Sequence, residues 1–135
     1  MKRKILIVED NVGLSQIQKD WLSQAGYEAV TAMNEPIARS LIRKTQFDLI
    51  LSDVRLPEGD GISLLEWLRK EKKDIPFIIT TEYVSVPDVV RTIKLGARDY
   101  LPKPVHRDYL LELAEDIFHP VATVRKQERQ LFHRT

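Results

Sequence analysis

The chain contains no cysteine among its 135 residues, which rules out both a disulfide framework and a thiolate metal site. It has no apolar run near the roughly 18 residues that a membrane span needs. The apolar part of its opening, MKRKILIVED, is too short for the core of a secretory signal. Net charge is scarce as well. With 21 basic and 20 acidic residues it comes to +1, so the whole molecule sets up no field that would gather nucleic acid. The phosphate-cradling patterns G-x-x-x-x-G-K and G-x-G-x-x-G are both missing, and no internal repeat or low-complexity segment is seen. What remains is 43% hydrophobic and 30% charged, the composition of one globular domain long enough to bury a core. A cytoplasmic protein is expected.

Short apolar runs alternate with segments of helical period. The runs are Ile5–Val8, Glu28–Ala32, Phe47–Ser52, Phe77–Thr80 and Arg98–Leu101. After the first, Leu14, Ile17, Trp21, Leu22 and Ala25 share one helical face, and Gly26 stands where a left-handed residue would end the helix. Asn34 and Pro36 mark a helix start, with Ile37, Leu41 and Ile42 behind them. Leu64, Leu65 and Leu68 form a third stripe, and Val86, Val89, Val90 and Ile93 a fourth that opens at Pro87 and ends at Gly96. Leu110, Leu113, Ala114 and Ile117 form a fifth. Five strand–helix units of this length predict an α/β fold, a parallel sheet with helices on both faces. Ile5–Val8 and Leu49–Leu51 are apolar throughout, as strands buried on both sides must be.

In such a sheet, ligands bind beyond the carboxyl ends of the strands, and these ends carry unusual residues. The first run stops at Glu9-Asp10, the third at Asp53, the fourth at Thr80-Thr81, and the fifth leads into Lys103-Pro104. One acid at a strand end is more often a helix cap or turn former, and a lone lysine is usually a solvated cation. Their collection on one rim is what such readings do not explain. Three carboxylates at close range repel unless a cation shares them. An oxygen-only donor set without histidine or cysteine suits Mg²⁺. A carboxylate is also a competent nucleophile toward phosphorus, and phosphoryl transfer chiefly requires positioning and charge neutralisation.

The stretches KILIVEDN, DLILSDVRLPEGDG, IPFIITTEYVSV and LGARDYLPKP together resemble the receiver domain of bacterial two-component response regulators over about residues 3–118. The resemblance implies a flavodoxin-like (βα)5 fold, a doubly wound parallel five-stranded sheet of order 2-1-3-4-5. It implies a phosphorylation-controlled switch rather than an enzyme. Asp53 matches the phosphoacceptor, Asp10 a direct Mg²⁺ ligand, Glu9 a metal partner acting largely through water, and Arg55 a ligand through its backbone carbonyl. Lys103 matches the phosphate-pairing lysine, Thr81 the switch hydroxyl and Tyr100 the switch aromatic. The Lys103–Pro104 bond falls where the family commonly has a cis peptide. The implied donor is a phosphohistidine on a sensor histidine kinase or phosphotransfer protein. The implied output surface is the face of the fourth helix, fifth strand and fifth helix.

Two alternatives come from other classes. Asp-nucleophile, Mg²⁺-dependent phosphatases of the haloacid dehalogenase type resemble D-x-D, but residue 55 is Arg. A degenerate receiver acting as a constitutive interaction module would not keep the full acid, threonine and lysine set. One departure from the family pattern is Glu82, where a small residue is usual; its carboxylate would repel anionic donors unless it points to solvent. Arg55 and Tyr83, each two residues beyond a site residue, are bulky enough to shield a phosphoryl group from water.

Residues 119–135 read as a basic linker or helical tail. From 118 to 135, Arg125, Lys126, Arg129 and Arg134 face the single acid Glu128, a surplus of +3, leaving −2 for the rest. Receivers with such endings resemble those that precede an ATPase and DNA-binding region in sigma-54-dependent activators, so a transcriptional output domain is the expected partner and no direct DNA contact is expected from these residues. Leu110, Ala114, Ile117, Val121, Val124 and Leu131 also fit an a/d seam, which would make a parallel homodimer, although Pro120 interrupts it.

Overall fold

Five strands and five helices alternate through residues 2–120, the part of the chain that the computed structural model describes. They are β1 (Lys4–Val8), α1 (Val12–Gln24), β2 (Glu28–Ala32), α2 (Glu35–Lys44), β3 (Leu49–Asp53), α3 (Gly61–Lys70), β4 (Phe77–Thr81), α4 (Val86–Lys94), β5 (Asp99–Pro102) and α5 (Arg107–Phe118). The strands form one sheet in the order β2-β1-β3-β4-β5, parallel throughout. The expected doubly wound, flavodoxin-like architecture is therefore observed. The chain leaves β1 toward β2 on one side and returns to β3 on the other, so a crevice opens between the carboxyl ends of β1 and β3.

Side-chain alternation along the strands divides the core in two. Leu6, Val8, Ile50, Phe77 and Ile79 pack with Ala38 and Ile42 of α2 and Leu64, Leu65 and Leu68 of α3. Ile5, Ile7, Leu49, Leu51 and Ile78 pack on the other side with Leu22 of α1 and Leu110, Ala114 and Phe118 of α5. Helix ends follow local chemistry. Asn11, Asn34, Asp60 and Ser85 each accept a backbone N–H in the first turn of α1, α2, α3 and α4. Gly26 ends α1 with φ +96°, where a residue bearing Cβ would be strained.

Several sequence expectations need correction. β3 begins at Leu49 rather than Phe47 and includes Asp53 itself; just ahead of it the Asp48 carboxylate accepts the Lys4 N–H at 2.8 Å. β4 runs on to Thr81. β5 starts at Asp99 and reaches Pro102. The buried arc of α1 passes through Ser15, Gln18 and Leu22, so Ile17 is exposed and the helix is turned from its most apolar side. The α4 stripe is not core either. Val86, Val90 and Ile93 are exposed and Thr92 is the buried residue of that helix. The seam proposed for a dimer loses its first positions, since Leu110 and Ala114 are fully buried against the sheet. Val121, Val124, Leu131 and the basic cluster at 125–134 lie outside the described residues.

Candidate functional site

β1 and β3 are neighbours in the sheet, so their ends deliver Glu9, Asp10 and Asp53 to one place. One carboxylate oxygen from each lies within 4.8 Å of the others. Glu9 and Asp53 are buried, at 4% and 7% exposure, while Asp10 faces outward. Such a trio gains by sharing a cation. Lys103, carried in by the turn after β5, supplies one. Its Nζ donates to Glu9 Oε1 at 2.6 Å and to Asp53 Oδ2 at 2.8 Å. Lys103–Pro104 is a cis bond, as the resemblance implied.

The backbone closes the shell. Asp53 Oδ1 accepts the Arg55 N–H at 3.3 Å, and Glu9 Oε2 accepts the Asn11 N–H at 3.1 Å. α3 starts hard against β3: a Cβ on Gly61 would stand 2.2 Å from the Asp53 carbonyl oxygen. Glycine is required there by the close approach itself. Burial pushes the Glu9 carboxyl above its ordinary value, against the pull of the Lys103 and Asn11 hydrogen bonds. Burial opposes the charge of Lys103, but its bonds and attraction to Asp53 and Glu9 prevail and hold the ammonium above its ordinary value.

These groups line a cleft of about 340 Å³ together with Asn11, Leu14, Arg55, Thr81, Glu82 and Tyr83. Thr81 is placed there but does not reach the acids; its hydroxyl donates to the Tyr83 carbonyl at 3.0 Å and accepts the Tyr83 N–H at 3.1 Å. Glu82 lines the cleft while remaining exposed. Arg55 stacks on Tyr83, with 4.4 Å from the guanidinium carbon to the ring centroid. Tyr100 sits apart from the cleft, half-buried against the α2–α3–α4 side of the core. Its hydroxyl is buried beside the Ser85 backbone. Burial raises that phenol first, Asp88 adds to the rise, and the nearby Ser85 backbone works against it.

Sequence reasoning missed Leu14, assigned to the core yet bordering the cleft, and the role of Asn11, which caps α1 beside Glu9. An Asx residue directly after an acidic pair is the signal that was available.

The family model for the response regulator receiver domain matches residues 5–115. The chain is 39% identical over 116 residues to the transcriptional regulatory protein ZraR of Klebsiella oxytoca, covering 85% of this chain and 26% of that protein. It is 33% identical to the response regulator protein PilR of Pseudomonas aeruginosa, over 83% of this chain and 25% of that one. It thus spans about a quarter of these curated relatives. Among solved structures it resembles the non-phosphorylated HemR receiver domain of Leptospira biflexa, with TM-score 0.82, 36% identity, and coverage of 90% of this chain and 98% of that one. A receiver domain from Methanospirillum hungatei matches with the same TM-score at 30% identity, covering 96% and 99%.

Proposed function

Because the chain belongs to the response regulator receiver domain family and so is a phosphorylation-dependent signalling switch, we propose that Asp53 is the residue that takes the phosphoryl group. The observation that carries this reading is the bridge from Lys103 Nζ to both Asp53 and Glu9, which sets one cation between the acceptor and a second acid. An Asp53 oxygen attacks phosphorus as the P–N bond of a phosphohistidine breaks, and the electron pair leaves on the imidazole nitrogen. The donor is a sensor histidine kinase or a phosphotransfer protein. The β3 strand, buried on both faces, holds the nucleophile still.

Glu9, Asp10 and Asp53, with the Arg55 backbone, would hold Mg²⁺; their all-oxygen donor set within 4.8 Å fits a hard cation. Bound there, it would neutralise charge on the transferring group. Lys103 then exchanges a carboxylate for a phosphoryl oxygen. Thr81 is within its own loop at present. To donate to the phosphoryl group it must give up its bond to the Tyr83 carbonyl, a neutral contact worth about 0.5–1.5 kcal/mol, for a charge-assisted one. That exchange moves the loop before α4, whose Ser85 lies beside the buried Tyr100 hydroxyl. Exposed Val86, Val90 and Ile93 of α4 are the apolar surface that would carry the change onward.

The output we propose is transcriptional, through a domain following residues 119–135 and of the sigma-54 activator type. Similarity to proteins described as transcriptional regulators supports this. No helix among the described residues is long and apolar enough to cross a membrane, which agrees with a cytoplasmic protein. Incubation with a small phosphodonor, followed by intact-mass measurement, tests the assignment. One phosphoryl group should appear only with Mg²⁺ present, and none on Asp53→Asn. Equal labelling of both proteins would overturn it.

A further inference from the structure

Glu35 opens α2, where an acid near a helix N-terminus is ordinarily an exposed partner of the helix dipole. This one is buried, at 5% exposure, and a carboxylate out of water is costly unless its bonds are replaced. The replacements come from across the chain. Glu35 Oε1 accepts the Asp60 N–H at 3.1 Å and Oε2 accepts the Ser63 hydroxyl at 3.3 Å. Arg39, one turn along α2, forms an ion pair with Oε2 and lies 5.2 Å over the Trp67 ring of α3.

The loop after β3 wraps this carboxylate. Glu58 and Gly59 are both left-handed, at φ +55° and +109°. A Cβ on Gly59 would come 2.3 Å from Glu35 Oε1 and 2.8 Å from Glu35 Cβ. The loop is a closed unit, because Gly61 N–H donates to the Val54 carbonyl at 2.8 Å and Arg55 pairs with Asp60 in an antiparallel bridge. Its outer arm, Gly59–Asp60, is held by Glu35. Its inner arm carries Arg55 along the cleft of Asp53. Nothing else in that arm is anchored to α2 by a buried charge among the described residues.

We infer that Glu35 is a positioning residue for the Asp53 site, fixing through Asp60 where the Arg55 backbone stands relative to Glu9, Asp10 and Asp53. This rests on the reading of the cleft as a metal and phosphoryl site. Glu35 never touches the transferred group; it acts through the loop.

Calorimetric titration of the 135-residue chain with Mg²⁺ alone tests it. Glu35→Ala should bind Mg²⁺ about tenfold more weakly, the loss typical when a group that orients a metal ligand is removed. Its Arg55 amide resonance should shift in the metal-free protein. Glu35→Gln keeps an acceptor for Asp60 and should recover most of the affinity. Ile42→Val, in the same helix but packed in the core, should lose stability without losing affinity. Wild-type affinity in Glu35→Ala, or equal losses in the Ala and Gln variants, would overturn the inference. Should Glu35→Ala fail to fold, Glu35→Asp decides, since its shorter side chain keeps the charge but draws the carboxylate back from the Asp60 N–H: weakened binding supports the role and unchanged binding refutes it. Asp10→Asn separates the two levels. If that variant still bound Mg²⁺ as wild type, the reading of the cleft would fail; a loss there with none in Glu35→Ala would refute only the positioning role.

Discussion

The guanidinium of Arg55 stacks on the ring of Tyr83, joining the loop after β3 to the loop after β4 at the edge of the cleft that holds Asp53. Neither residue touches Asp53 through its side chain. Both side chains are exposed, and a cation–π contact at an exposed site is worth about 0.5–1 kcal/mol. We propose that water attacking a phosphoryl group on Asp53 in line passes this edge. We therefore expect the phosphorylated protein to persist for minutes or longer, and Arg55→Asn with Tyr83→Ala to lose the group several-fold faster. Because the stack needs both partners, either single variant should show most of the effect. The decay of the phosphorylated mass after donor removal measures this, and unchanged decay in the double variant would dispose of the shielding role.

Glu82 borders the same cleft and remains exposed. A carboxylate about 6 Å from an incoming anion in water slows its arrival by about threefold. Glu82→Ala should accelerate uptake from an anionic small donor by about that factor, and the gain should shrink at high salt. A rate equal to that of wild type at low salt would mean that Glu82 takes no part in donor entry.

Lys103 holds two buried carboxylates together, and all three side chains are at most 10% exposed. Removing one partner of a buried pair leaves the others uncompensated, at a cost of about 3–5 kcal/mol. Lys103→Met should be destabilised by about that amount without metal and should regain much of it in Mg²⁺. Its pH dependence has a definite sign. Burial already places the folded Glu9 carboxyl above 4.5, so its contribution is full below pH 4.5 and is lost as pH rises through the folded value. Lys103 is among the groups that hold this rise down. Without it, stability should fall more steeply than in wild type from pH 4.5 toward neutrality. Denaturant midpoints across that range check the slope, and parallel curves would contradict it.

The carboxyl ends of β1 and β3 were legible because runs such as ILIV and LIL are buried on both faces, so their ends locate Glu9, Asp10 and Asp53 without further information. Asn34 and Gly26 were legible for local reasons, a cap and a left-handed turn. The faces of α1 and α4 were not. Periodicity finds the stripe of Val86, Val90 and Ile93 but does not say what covers it, and α4 in fact rests on Thr92. Glu35 was hidden because its partners, Gly59, Asp60 and Ser63, are remote in sequence and their approach depends on a left-handed turn. The Arg55–Tyr83 stack was half legible. Both residues stood out by size, but their contact depends on the adjacency of β3 and β4.

Position is the most direct test of the assignment. The protein would be phosphorylated in Mg²⁺, reduced at once with borohydride, which converts an aspartyl phosphate into homoserine, and mapped by peptide mass spectrometry. Homoserine at residue 53 and at no other acid is the expected result. Homoserine at Asp10, or the corresponding 2-amino-5-hydroxypentanoate at Glu9, in place of homoserine at residue 53, or a stable phosphate on a hydroxyl such as Thr81, would contradict it.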